Sequence, residues 1–302
     1  MIKATVAVPG FGPMREIALD KAARIRVLLG EGFQVVVPDG KNIAQARNRA
    51  LEEAEGEFIA WVDADDEVGE AWADVVREAT DCGADVTVFD GIAMNRINDH
   101  AFVWGADPEK TTPEYVLRDN LRDFLTSHLP MRITRTALWD GLRFDETLSR
   151  MEDFMILPHV LRRARTARYI PKRVYGYTYR DDSLTHTPDA DISRSILHCA
   201  FRRAEEWKDT QYREDAETGT ASIALDCLEC FAIDGRLASA PGADEIKEEA
   251  RRWLADRKKD LLSRTARFRD RLKLRLAVAG IWWPRRLYWR LRGVRLRKTC
   301  TG

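Results

Sequence analysis

The sequence predicts an α/β fold, a mainly parallel sheet flanked by helices with a helical extension toward the C-terminus. Three observations predict it. Short apolar, β-branched runs alternate with helix-period segments through roughly the first ninety residues, the order that βαβ units leave in a chain. Pro and Gly mark the changeovers. One apolar run, Phe58 to Val62, ends directly in Asp63-Ala64-Asp65-Asp66, and open α/β sheets bind ligands outside the carboxyl ends of their strands.

The elements follow in order. Residues 4–8 read as a first strand, closed by Pro9-Gly10, and a helix over 14–29 is ended by Gly30 and Gly32. Phe33 to Val37 is a second strand, and Pro38-Asp39-Gly40 a turn. A helix over 43–55 breaks at Gly56 before the strand 58–62, and a helix 69–81 leads to a strand 85–89. Residues 91–112 read as a loop, 113–125 as a helix, and 190–250 as helices without recognisable chemistry.

Three acids at one strand end repel one another unless a cation lies between them. That points to a hard divalent metal carrying a phosphorylated ligand. A solvated acidic turn is the bland alternative for a lone DxD. A phosphatase-type nucleophilic aspartate is the other, but Glu67 stands where that DxDx(T/V) pattern needs Thr or Val. The run leading in, Ala46-Arg47-Asn48 through Gly56-Glu57-Phe58-Ile59 to Asp66, decides for the metal. It resembles the signature of the family 2 glycosyltransferases, in which an ARN-containing helix, a GEYI turn and a DSDD strand end follow one another.

Two later blocks extend the resemblance to about residues 4–187. Phe144-Asp145-Glu146 followed by Glu152-Asp153 is similar to the second half of that family's catalytic domain, with Ile133 to Trp139 as its lead-in. Tyr175-Gly176-Tyr177-Thr178-Tyr179-Arg180, then Ser183 and His186, resembles its closing segment. The resemblance implies a GT-A-like fold and inverting transfer of a sugar from a nucleotide-diphosphate donor, a UDP-sugar first among candidates. It implies Asp153 as general base, with Glu152 orienting the acceptor or Asp153 itself. Asp65 is the best ligand for Mn²⁺ or Mg²⁺; Asp63 is a second ligand or a ribose contact, and Asp66 faces away or braces the turn. Arg47 approaches the uridine or diphosphate, the alternative being a surface charge paired with a glutamate. Arg180, Ser183 and His186 close over the diphosphate, and Pro9 and Asp39 border the nucleotide.

The chain departs from the family between Pro9 and Ala46, where it is short. Either Pro38-Asp39-Gly40 is a remnant of the family's base-reading turn, or that turn is deleted and residues 34–48 match the later strand leading into ARN. The second alignment needs no gap. The rival function is accordingly a non-catalytic member that binds a glycan or scaffolds an assembly at the membrane.

Composition is that of an ordinary globular chain of 302 residues, 45% hydrophobic. Five cysteines give no disulfide framework and read as a reducing compartment. Cys227 and Cys230 lack a second pair to complete a zinc site and read as small core residues on a helix. The opening residues read as a strand rather than a signal peptide. The net charge of zero conceals an asymmetry, since 16 Lys/Arg face two acids between Arg257 and Lys298. Arginines flanking Leu287, Leu291 and Val294 suit an anionic membrane surface; packed accessory helices and nucleic acid are the alternatives, the last least favoured. The expected organisation is a glycosyltransferase domain at 1–190, a helical region at 191–256 and a basic tail at 257–302. Its partners would be a nucleotide sugar, a glycan or lipid-linked glycan acceptor for cell-surface polysaccharide, and the inner face of the cell membrane.

Overall fold

Ala4–Ala7 forms β1, all four residues buried, and parallel neighbours flank it on both sides. β2 (Phe33–Val36) pairs Ala4 with Phe33, and β3 (Phe58–Trp61) pairs Ala4 with Phe58. Three helices make the connections: α1 (Met14–Leu29), α2 (Ile43–Glu53) and α3 (Glu70–Cys82). α1 and α3 stop at Gly30 and Gly83, whose φ values of 71° and 72° suit a residue without Cβ. Ile25, Val6, Val35, Ala60, Trp72 and Val76 belong to one buried apolar cluster, which carries this half of the fold. Thr5 ties it at the open end. Its hydroxyl donates to Gln34 (2.6 Å) and accepts the Glu55 and Gly56 amides (3.2 and 2.9 Å). A Cβ at Gly56 would lie 2.3 Å from the Thr5 nitrogen, so only glycine fits that crossing.

The computed structural model describes residues 1–94, 100–102, 111–122, 128–178, 190–265 and 268–282. The chain forms two units, one of residues 1–120 and 125–179, the other of 121–124 and 180–302. In the first, the sheet is more mixed than the alternation predicts. β6 (Arg132–Arg135) runs antiparallel between β3 and β4 (Val86–Met94), and β7 (Ala167–Thr178) lies parallel along β4. The expected loop at 91–112 is also corrected. β4 continues to Met94 and pairs antiparallel with β5 (His100–Phe102). The strand expected to end at 89 passes through an irregularity at Asp90-Gly91, and its partner β7 continues past it. α4 (Pro113–Arg122) and α5 (Glu152–Leu161) complete the helices up to β7.

The second unit contains α6 (Ala190–Glu206), α7 (Arg213–Ile233), the short α8 (Gly235–Ala238), α9 (Ala243–Asp256), α10 (Lys258–Arg264) and α11 (Phe268–Val278). The Thr220 hydroxyl donates to the Ala200 carbonyl at 2.9 Å, joining α6 to α7. Phe201 and Trp253 stack at 5.5 Å between α6 and α9. The start of the basic tail is packed rather than free. Arg264 donates to the buried Glu217 at 2.8 Å, and Lys273 reaches Asp226 and Glu229 at 2.8 and 3.0 Å. Leu261, Leu274, Ala277 and Trp282 are buried alongside. Residues 283–302 lie outside the described residues. No helix among the described residues is long and apolar enough to cross a membrane.

The two halves of the tail should therefore behave differently. Truncation after residue 282 is expected to leave the melting temperature nearly unchanged. Truncation after 256 removes Arg264 from Glu217, Lys273 from Glu229 and the cover from α7, and should lower it by more than about 5 °C, as a loss of ~2 kcal/mol implies. Differential scanning calorimetry of both truncations checks this.

Candidate active site

The site begins with the local structure of α2. Asn42 caps it by accepting the Gln45 amide at 2.9 Å, and a face of Ala44, Ala46, Arg47, Asn48 and Ala50 turns inward. Small alanines let the helix lie close, so Arg47 and Asn48 are delivered into the interior. The Asn48 amide clamps the backbone of Phe144, donating to its carbonyl at 3.0 Å and accepting its N–H at 2.8 Å. It also donates to Glu146 at 2.9 Å. Trp61, Trp139 and Phe144 cluster with ring centroids 5.5–5.7 Å apart. The Phe144-Asp145-Glu146 block is thereby bound to the ARN helix.

Arg47 joins the two acidic motifs. Its guanidinium donates to Asp63 Oδ1 at 3.1 Å and to Glu152 Oε1, and lies 5.9 Å from the Phe144 ring centre. The side chain is not a surface charge: it is buried, and both ends of its fork hold carboxylates, one of them a glutamate. Burial alone would lower its pKa, but Glu152, Asp63 and Asp153 outweigh that and raise it. Burial also pushes the Glu152 carboxyl up, to about 7, with Arg47 pulling it down and Asp153 and Asp63 pushing it up.

Glu152 and Asp153 open α5. Met151 before them has φ 66°, the one non-glycine residue with positive φ among the described residues. Such strain costs about 1–3 kcal/mol and persists where surroundings impose it. Asp153 is half-buried, its Oδ1 accepting the Phe154 amide at 2.7 Å. It lies within electrostatic reach of a second buried guanidinium, Arg132 on β6, whose own pKa is lowered to about 9 by burial against the pull of Asp153 and Asp119.

The acidic loop divides its labour. Asp66 is buried and braces the turn, accepting the Tyr175 hydroxyl at 2.6 Å and the Thr178 amide at 2.8 Å. Burial and the nearby Asp63 raise its pKa. Asp63 and Asp65 remain half-buried at the loop surface. Among the described residues no three His, Cys, Asp or Glu side chains are grouped to hold a metal. Two hard oxygen donors without a third fit a Mg²⁺ or Mn²⁺ whose remaining ligands are water and phosphate, and do not fit a closed protein cage.

Pro9, Asp39 and Asp63 follow the carboxyl ends of adjacent parallel strands, which the backbone bonds Gly10 N–H to Pro38 and Val62 N–H to Ala7 keep in step. Pro9 is buried. Asp39 is exposed, accepts the Gly40 amide at 2.8 Å and lies 3.9 Å from Arg15. Arg180, Ser183 and His186 lie outside the described residues. The motifs overlooked Lys21 and Arg132; a lone Lys within an amphipathic helix and a lone Arg in a short apolar run carry no signal of their own.

Removing Arg47 should be far worse than removing an exposed arginine. Arg47→Met leaves two carboxylates without their cation and is expected to cost about 3–5 kcal/mol of stability, measured by urea unfolding. Glu152 also sets a pH dependence. Because its folded pKa lies above its ordinary 4.5, the native state keeps a proton that the unfolded chain has released. This group's contribution to stability therefore falls as pH rises from about 4.5 to about 7. Glu152→Gln is expected to flatten that portion of the stability profile.

Comparison with known proteins bears on the fold. Residues 14–135 match the model of "Glycosyl transferase family 2". Among solved structures, S. aureus TarS 1-349 is similar at 17% identity, with TM-score 0.59, covering 97% of this chain and 92% of that one. The same protein in complex with UDP-GlcNAc is similar at 18% identity and TM-score 0.53, covering 96% and 92%. A longer S. aureus TarS chain is covered over 55% of its length at 18% identity and TM-score 0.50. No curated protein matches the chain. The matching segment thus resembles a family 2 glycosyltransferase domain, and the chain shares the fold of these glycosyltransferase structures.

Proposed function

We propose that this chain is an inverting, metal-dependent glycosyltransferase that moves a sugar from a nucleotide-diphosphate donor to a glycan acceptor. One observation carries the reading: a single buried guanidinium binds both the acidic strand end, through Asp63, and the Glu152-Asp153 pair. A donor-side and an acceptor-side carboxylate therefore share one site. A protein retained only to bind glycans or to scaffold has no need to bury an arginine between them.

The roles follow. Asp65, with Asp63 beside it, would hold Mn²⁺ or Mg²⁺, which when bound neutralises the leaving diphosphate. Asp65 is the principal ligand, and Asp63, whose Oδ1 accepts from Arg47, is the second. Asp153 takes the proton from the acceptor hydroxyl, and attack from the face opposite the diphosphate inverts the anomeric centre. Glu152 is a positioning residue: it holds Arg47 rather than the acceptor. Pro9 and Asp39 border the nucleotide, and Arg180 and His186 close over its diphosphate. UDP-sugars are the donors to test first, since TarS, which shares the fold, is solved with UDP-GlcNAc.

The acceptor is assigned to a glycan or lipid-linked glycan of the cell surface, met at the inner face of the membrane. Residues 283–302 contain seven Lys/Arg and no acid, interleaved with Trp283, Tyr288 and Trp289. That composition suits an anionic lipid surface, and truncation after residue 282 is expected to abolish sedimentation with phosphatidylglycerol vesicles.

Calorimetric titration of UDP with and without Mn²⁺ tests the donor site. Wild type should bind in a Mn²⁺-dependent manner, and Asp65→Ala should lose that dependence; wild-type affinity in the variant would remove Asp65 as ligand. Asp153→Asn should reduce sugar transfer by about 10²–10⁴-fold with UDP binding retained. Unchanged turnover would remove Asp153 as base.

A further inference from the structure

We propose that Tyr175 is a positioning residue for the cation, holding the acidic loop so that Asp63 and Asp65 present their carboxylates together. This rests on the donor site proposed above. The phenol is buried on β7, and its oxygen makes two bonds to the loop. It donates to Asp66 Oδ2 at 2.6 Å and accepts the Asp63 amide at 3.1 Å. The other Asp66 oxygen accepts the Thr178 amide at 2.8 Å.

The attachment continues along the backbone. Glu67 and Gly176 exchange N–H···O bonds of 2.7 and 2.9 Å. From the opposite side, Lys21 on α1 donates to the Asp66 carbonyl and approaches Glu67 at 3.5 Å. The loop is thus anchored at residues 63, 66 and 67, with Asp65 carried between the anchors. Among the described residues, the Tyr175 hydroxyl bonds to both the first and the last aspartate. Without it, the Asp63 amide and the Asp66 carboxylate each lose a partner. The two surface carboxylates would then have to be ordered by the cation itself, which weakens its binding without touching the chemical step.

β7 supplies its own control. Tyr169 is buried six residues earlier and donates to both oxygens of buried Asp90 at 2.9 Å. Tyr169→Phe removes a comparable bond from the same strand, away from the loop. The test titrates Mn²⁺ into the full-length protein at fixed UDP and compares wild type, Tyr175→Phe and Tyr169→Phe, each with its melting temperature. Tyr175→Phe is expected to raise the Mn²⁺ concentration for half-maximal UDP binding about tenfold or more, the scale of a lost charge-assisted hydrogen bond. UDP affinity should recover at saturating Mn²⁺. Tyr169→Phe should lower the melting temperature and leave the Mn²⁺ midpoint in place.

An unshifted midpoint in folded Tyr175→Phe, or equal shifts in the two variants, would overturn the proposal. If Tyr175→Phe does not fold, the Asp66 pair decides. Asp66→Asn keeps an acceptor for the phenol and should hold the midpoint near wild type, whereas Asp66→Ala should raise it; equal midpoints overturn the proposal. Wild type without Mn²⁺-dependent UDP binding would sink the donor-site reading and this proposal with it, a result distinct from wild-type binding that the Tyr175 variant shares.

Discussion

A guanidinium buried between two carboxylates is expensive to assemble and more so to dismantle, and the candidate site is organised around one. Arg47 brings its charge into an interior made by alanines and aromatic rings, where an ion cannot remain alone. Asp63 and Glu152 satisfy it, from a strand end and a helix start that lie far apart in the chain. Each motif is thereby made dependent on the other's position. The loop after β3 cannot drift from α5 without stranding a charge, and α2 cannot slide without losing both.

Around that contact the remaining polar residues act as fasteners. Asn48, beside Arg47, fixes the segment that leads toward α5 by treating Phe144 as a paired strand would. Asp66 and Thr178 fasten the acidic loop to β7, and Lys21 fastens it to α1. The consequence is a site in which Asp65 and Asp153, the proposed metal ligand and base, are only half-buried while nearly everything supporting them is fully enclosed. Precision of this kind favours a reaction in which little reorganisation occurs at the transition state.

Much of this was legible in the sequence because it is local. The parallel strands β1 to β3 and helices α1 to α3 follow from short-range periodicity and from glycine stops, and their observed ends differ from the sequence reading by no more than two residues. The acidic motifs and the ARN helix were visible as patterns. What joins them was not, since Arg47 and Glu152 are 105 residues apart and periodicity carries no information about partners. The same limit explains β6, a four-residue strand whose identity depends on lying between β3 and β4. The loop expected from 91 was wrong for a related reason: pairing to β7 and β5 carries β4 on to Met94. In the tail, charge counting registered the cations but not the buried acids Glu217 and Glu229 that engage some of them.

Met151 places two demands on one position. Its backbone angle suits glycine, yet its side chain is buried, so relieving the torsion would open a void beneath the start of α5. Neither demand can be met fully without failing the other. Sequence drift at this position should therefore be governed by side-chain volume, with torsional comfort sacrificed, and chains that replaced Met151 would be expected to keep a residue of similar bulk there.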